Sequence, residues 1–355
     1  MRISVPLVSC VLWLSVSFEG STDAAPFQFD VDAPPPKQLS ETNLFLDVAR
    51  QIPNRGFEPY DLNTPLFSDY AGKYRFVYVP RGKEAVYDEE EEFEFPVGTV
   101  IVKTFSFLND LRDPSAGERI VETRLLVRKT SGWAGYPYIW NEDLTEARLA
   151  VAGGISEVSW THTDGNGRFI EYIIPNVNQC KQCHEKNGAI VPIGPKARHL
   201  NRTNPYPEGA ENQIERWTRL GLLTGVPADP ESIPRVCDWG NPDDGTTEER
   251  ARAWLDINCA NCHNPEGSAK NAGLDLTYGP RDPVELGVKK DPVAAGPATG
   301  GRAHGIEPGS PDLSILLFRI ETSEPAIMMP PMPRRLVHAE AADLIRKWIA
   351  EMPAQ

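Results

Sequence analysis

The chain is poor in cysteine, in methionine and in long apolar runs. Its 355 residues include six cysteines, five methionines and six histidines. After an apolar stretch from Val5 to Phe18, no segment approaches the roughly 18 consecutive apolar residues that a membrane-spanning helix needs, so no transmembrane segment is expected. Positive charge is in the minority: 36 Lys and Arg against 50 Asp and Glu leave a net charge of −14. That balance disfavours a nucleic-acid partner, whose phosphates call for a basic face. Cysteine usage excludes a disulfide framework. Cys10 lies in the N-terminal apolar stretch, four others form two matched pairs, and Cys237 is left alone. No methionine occurs between Met1 and Met328.

The N-terminus carries an export pattern. Arg2 supplies the positive start, Val5 to Phe18 is apolar but too short to span a bilayer, and small residues from Ser21 to Ala25 suit cleavage. Residues 1–25 therefore read as a signal peptide, and the mature protein is expected in the periplasm or otherwise exported.

The two cysteine pairs carry the chemistry. They read Cys180-Lys181-Gln182-Cys183-His184 and Cys259-Ala260-Asn261-Cys262-His263. Cys-x-x-Cys-His is the attachment sequence of c-type haem. Each thiol adds to one haem vinyl group, two intervening residues set the reach between the thioethers, and the adjacent histidine is held under the iron as proximal ligand. A four-cysteine zinc site built from both pairs would leave each histidine unexplained. The sequence thus predicts two covalently bound haem c groups per chain, anchored at Cys180, Cys183, Cys259 and Cys262, with His184 and His263 on the irons.

Around these motifs the chain divides by pattern. Residues 26–40, with Pro34-Pro35-Pro36, read as a linker, and 41–50 as a short helix with Leu44, Phe45, Val48 and Ala49 on one face. Residues 41–175 form a β-rich domain. Its strands are expected at Tyr74–Val79, Thr99–Phe107, Arg119–Val127, Tyr136–Trp140, Glu157–His162 and Arg168–Ile174, separated by Gly- and Pro-containing turns. Asp88 to Glu92 reads as a solvated edge, or as a docking site for a basic partner. Residues 176–235 form a first haem module, with a helix over about 211–222. Residues 236–355 form a second. There Thr246 with Glu249 predicts a capping box, Ser310-Pro311 another helix start, and residues 339–351 a final amphipathic helix. Trp254 and Trp348 are candidates for a crossing of the first and last helices of that module. The expected fold is multidomain α+β: an N-terminal antiparallel β-sandwich or partial barrel followed by two mainly α-helical haem modules.

The distal ligands separate the two haems. Met328-Met329-Pro330-Pro331-Met332-Pro333 precedes the last helix, where a stiff loop can present a thioether to iron. Met329 is preferred over Met328 and Met332 as ligand of the second haem. The first haem has no methionine nearby. His199, 15 residues after His184, is its nearest downstream candidate, His162 is another, and an open or water-bound iron is the third possibility. Lys196, Arg198 and Arg202 are candidates to pair with propionates.

The chain resembles a family of exported bacterial dihaem c-type cytochromes with an N-terminal β-domain. The resemblance rests on Pro59 to Tyr70, Phe95 to Thr99, Glu122 to Leu126, Asn178 to His184, Pro192 to Arg198, Leu255 to Cys259 and Met328 to Pro330. The C-terminal part also resembles a cytochrome c domain. The resemblance implies haem binding and electron transfer with redox protein partners, and supplies no substrate. Two other functions compete with it: a dihaem enzyme such as a peroxidase with an open first haem, and a redox subunit whose β-domain docks a partner.

Overall fold

In the computed structural model, residues 25–293 and 295–354 are described; the expected signal peptide, apart from Ala25, lies outside them. A six-stranded antiparallel sheet dominates. Its spatial order is β3 (Phe57–Pro59), β4 (Gly72–Tyr78), β6 (Val100–Leu108), β7 (Glu118–Lys129), β8 (Gly132–Trp140) and β9 (Ala147–Leu149). Before it come the paired strands β1 (Phe45–Asp47) and β2 (Ile52–Pro53). The two-residue strand β5 (Ala85–Val86) pairs in parallel with Leu223–Thr224. A separate hairpin, β10 (Gly154–Thr161) and β11 (Gly167–Ile174), turns through Gly165 at φ 83°.

Period-two alternation gives the sheet two different faces. Phe76, Val102 and Leu125 point one way and bury against the N-terminal segment, where Phe27, Phe29, Leu39 and Leu44 cover them. The expected linker is thus partly packed. The helix expected at 41–50 does not form. A 3-10 turn at Leu39–Thr42 ends at Asn43 in the left-handed region, φ 52°, and Phe45 continues as strand. Leu44 is needed in the sheet's core, and an extended chain delivers it there.

The opposite face is covered by the motif-bearing half of the chain. The row Val77, Ile101 and Leu126 packs with Ile193, Leu200, Ile214 and Trp217 in one core. The hairpin β10–β11 seals the far end through Phe105, Phe107, Trp160 and Tyr172.

The expected fold class is corrected here. The molecule is mainly β with a few helices, and two mainly α-helical modules are absent from the described residues. Helices in the first motif region are short: α1 (Val177–His184), α2 (Ala197–Leu200) and α3 (Gln213–Arg219). Two hairpins lie between them, Glu185–Lys186 with Ala189–Ile190 and Thr203–Tyr206 with Gly209–Asn212. Pro192, Pro195, Pro205 and Pro207, together with Gly188, Gly209 and Gly221, break the segment into runs too short for a long helix. The segment's apolar residues are used against the sheet instead of a core of its own. Further on, α4 (Thr247–Asn258), α5 (Ile315–Glu321) and α6 (Ala339–Glu351) pack together through Trp254, Leu317, Ile345 and Trp348. Between α4 and α5 the chain is turns and 3-10 pieces, interrupted by glycine and proline. Among the described residues no helix is long and apolar enough to cross a membrane.

Candidate functional site

Helix α1 starts at a capping box. Asn176 accepts from the Gln179 amide at 2.9 Å, and Gln179 accepts from the Asn176 amide at 2.9 Å. With the start fixed, Cys180, Cys183 and His184 fall at i, i+3 and i+4 on one helix face. Cys180 rests over Gly135 of β8. The His184 amide-bonded neighbourhood is clamped at Val191: the Val191 N–H donates to the His184 carbonyl at 2.8 Å, and His184 Nδ1 lies 2.7 Å from the Val191 carbonyl oxygen. A carbonyl can only accept, so Nδ1 carries the proton and Nε2 presents a bare lone pair. Burial, then the nearby Lys103, pushes the His184 imidazolium down to about 4, so the ring is neutral at physiological pH.

Helix α4 delivers the second motif. The expected capping box at Thr246 forms, with the Glu249 amide donating to Thr246 Oγ1 at 3.2 Å and the Thr246 amide to Glu249 at 2.8 Å. Asn258 at the helix end accepts from the Phe67 amide at 2.8 Å, tying the helix to the loop that enters β4. Cys259 closes the helix, and the amides of Cys262 and His263 donate back to its carbonyl. Burial pushes the Cys259 thiol up to about 12. His263 Nδ1 is buried without a partner.

The two motifs meet. Cys262 Sγ lies 3.8 Å from the Gln182 carbonyl oxygen, between the two cysteines of the first motif. Ser268 Oγ donates to the Gln182 carbonyl at 3.1 Å, the Asn187 amide to the Glu266 carbonyl at 2.9 Å, and Lys186 pairs with Glu266 at 3.3 Å. Cys180, Cys183 and His184 line one cavity together with Cys262 and Met329; Arg75, Lys103 and Arg124 line it from the sheet. Cys259 and His263 are not on its wall. Among the described residues no three His, Cys, Asp or Glu side chains converge as ligands for a bare ion. Free thiols at the cavity wall and an imidazole whose Nδ1 is already held fit covalent haem at the first motif. At the second motif the His263 Nδ1 is left without a protein partner, and Met329 lies on the cavity of Cys180, Cys183 and His184 rather than beside His263.

The three methionines of the loop differ in place. Met328 is buried, Met329 faces the cavity, and Met332 is 42% exposed. The Met329 amide donates to the Arg319 carbonyl at 2.9 Å, and Arg319 Nε donates to the Ile327 carbonyl at 2.8 Å, mooring the loop on α5.

Neither histidine proposed for the first haem lies on the cavity wall. His199 is fully buried with Nε2 2.8 Å from Asp256 Oδ2. Arg198 grips the same carboxylate at 2.8 and 3.0 Å, and the Tyr278 amide donates to it at 3.0 Å. Burial opposes ionisation of Asp256, but Arg198 and His199 hold its carboxyl far below the usual range. This bracket ties α2 to α4. His162 lies beside Tyr70, 3.8 Å from Glu340. The expected propionate partners are also engaged elsewhere: Lys196 with Glu91 at 3.2 Å, Arg198 with Asp256, and Arg202 with the Leu62 carbonyl at 2.7 Å. The acidic run is partly paired rather than simply solvated. Despite burial, Lys196 and Lys186 hold the Glu91 carboxyl down at about 2.

One cavity-lining histidine was missed. His338 stacks on Phe67 at 4.1 Å and accepts from Trp254 Nε1–H at 3.1 Å. Burial pushes its imidazolium down to about 3. Its place just after the Met-Pro loop was the only signal the sequence offered.

Comparison with protein families, with curated proteins and with solved structures returns no match.

Proposed function

We propose that the chain is an exported dihaem c-type cytochrome that passes single electrons between redox protein partners. One observation carries this reading: two Cys-x-x-Cys-His segments, 75 residues apart in sequence, meet where Cys262 and Ser268 reach the Gln182 carbonyl and the Asn187 amide donates to the Glu266 carbonyl. Bound haem c supplies a one-electron iron couple. The chain's own residues do the rest. Cys180, Cys183, Cys259 and Cys262 supply four thiols for thioether links. His184 and His263 would hold the irons through their Nε2 atoms, with the Val191 carbonyl fixing the His184 ring. Met329, on the cavity lined by Cys180, Cys183, His184 and Cys262, would offer its sulfur to an iron held there. Trp254, Phe67 and His338 keep water from one side of the cavity. The test is mass spectrometry of the exported protein. Two haem additions that resist acid–acetone extraction are expected; freely extractable haem, or zinc in its place, overturns the reading.

A second reading, a dihaem peroxidase with an exchangeable first iron, is favoured by the placement of His162 and His199 away from the cavity wall. Cyanide, carbon monoxide and hydrogen peroxide discriminate the two. Slow or absent binding with reversible reduction of both haems supports the relay. Rapid binding with turnover of peroxide against a reduced donor supports the enzyme.

A further inference from the structure

The sheet wall of the cavity carries a row of cations. Arg75 of β4 is the cross-strand partner of Lys103 in β6, and Lys103 is the partner of Arg124 in β7. Direct partners on one face stand only about 5 Å apart at Cβ, and like charges there repel. All three side chains line the cavity. The flanking rows on the same face are different. Val77, Ile101 and Leu126 are apolar on one side, and Lys73, Phe105 and Glu122 lie on the other.

The carboxylates nearby do not neutralise this row. Asp61 binds Arg75 at 2.6 Å but also lies 3.6 Å from Arg202. Glu122 takes Arg124 at 2.5 and 2.8 Å and also accepts from the Tyr172 hydroxyl at 2.8 Å. Lys103, in the middle, makes no hydrogen bond or ion pair among the described residues. Burial, then Arg75 and Arg124, pushes its ammonium down to about 7. A like-charged row lining a cavity, with Arg75 buried and Lys103 and Arg124 half-buried, is costly unless a counter-charge completes it. In a chain of net charge −14, keeping these cations on an internal wall calls for an anion inside the cavity.

The strand order indicates which anion. Cys180 rests over Gly135 of β8, and the sheet runs β8, β7, β6, β4. Gly135 pairs with Leu126, so the row lies two residues along the strands from that anchor; at about 4.8 Å per strand and about 3.4 Å per residue, Arg124 is about 8 Å away, Lys103 about 12 Å and Arg75 about 16 Å. Thioethers form at one side of the haem macrocycle, and its two propionate carboxylates leave from the opposite side. A group anchored at Cys180 and lying along this wall carries its carboxylates toward β6 and β4.

Resting on the dihaem reading, we propose that Arg75, Lys103 and Arg124 form the carboxylate-binding row for the propionates of the haem attached at Cys180 and Cys183, with Lys103 depending on a propionate for its counter-charge. The β-rich half of the molecule is then one wall of a haem site. The two arginines supply planar forks for carboxylate, and the lysine a point charge between them.

The experiment is a redox titration of matured, exported protein, followed optically, for the wild type, Lys103→Gln, Lys103→Arg and the exposed control Lys347→Gln. Removing a cation beside one haem favours its ferric state. Lys103→Gln is expected to lower the midpoint potential of one haem by at least tenfold in its reduction equilibrium, about 59 mV for one electron. Lys103→Arg and Lys347→Gln are expected to leave both potentials near wild type. Two covalent haems with unmoved potentials in Lys103→Gln overturn the row while leaving the dihaem reading standing. A preparation without covalent haem overturns both. A wild-type potential that moves on titration with acetate, and no longer moves in Lys103→Gln, assigns the row to a free carboxylate and overturns the propionate assignment.

Discussion

At the scale of single residues, position decides which of several similar side chains does chemistry. Met328, Met329 and Met332 are near neighbours, but only Met329 faces the cavity. Met329→Ala is expected to abolish the weak far-red sulfur–iron band and lower the potential of one haem. Met328→Ala is expected to keep that band and cost about 2–5 kcal/mol of stability, read in a thermal melt, because it empties a buried site. Met332→Ala is expected to do neither. The same reasoning moves His199 from ligand candidate to structural bracket. His199→Ala is expected to leave the spectrum of the first haem unchanged. Asp256→Asn leaves Arg198 buried without its anion and is expected to cost about 3–5 kcal/mol. The Asp256 carboxyl is depressed in the folded state, so its contribution is complete above the ordinary aspartate range near pH 4 and is lost as pH falls below it. Stability measured against pH is therefore expected to fall less steeply below about pH 4 in Asp256→Asn than in the wild type.

At the scale of elements, local signals were readable where the structure asks only for local geometry. The six expected main strands form within a few residues of their expected bounds, because alternation and turn residues act within each segment. Helix α6 spans Ala339–Glu351 as its apolar stripe predicts, and α4 begins at its capping box. Thr246→Ala is expected to cost about 1 kcal/mol, seen as a lower melting temperature with unchanged haem spectra. The helix expected at 41–50 is absent and the one expected at about 211–222 forms but is shorter, because their apolar side chains are claimed by the sheet. Only Gln213–Arg219 stays helical in the second segment, with Ile214 and Trp217 buried and Leu220 42% exposed.

At the scale of the molecule, the first motif region and the β-rich region share one core. Ile193, Leu200, Ile214 and Trp217 bury against Tyr60, Val77, Phe93 and Ile101. A fragment of residues 176–355 therefore loses the wall against which its first half folds. It is expected to be degraded in limited proteolysis from its N-terminal end up to about the start of α4, while α4, α5 and α6 hold together through their own cluster. Protection of residues 176–235 in that fragment would show that the region folds alone.

The sequence by itself determined the two Cys-x-x-Cys-His segments, the main strands, the capped helix and the last helix. Each depends on residues a few positions apart, which is the range over which capping, alternation and Cys-x-x-Cys-His spacing act. The tertiary structure alone decided which residues face the cavity. Lys103 reads in the sequence as an ordinary polar position of an alternating strand, and becomes the centre of a cation row only when β4, β6 and β7 come into register. His199 becomes a structural partner only because Asp256, 57 residues later, is folded against it. Cys262 meets Gln182 for the same reason: burial and cross-strand register join segments that are distant along the chain, and no local pattern records such pairings.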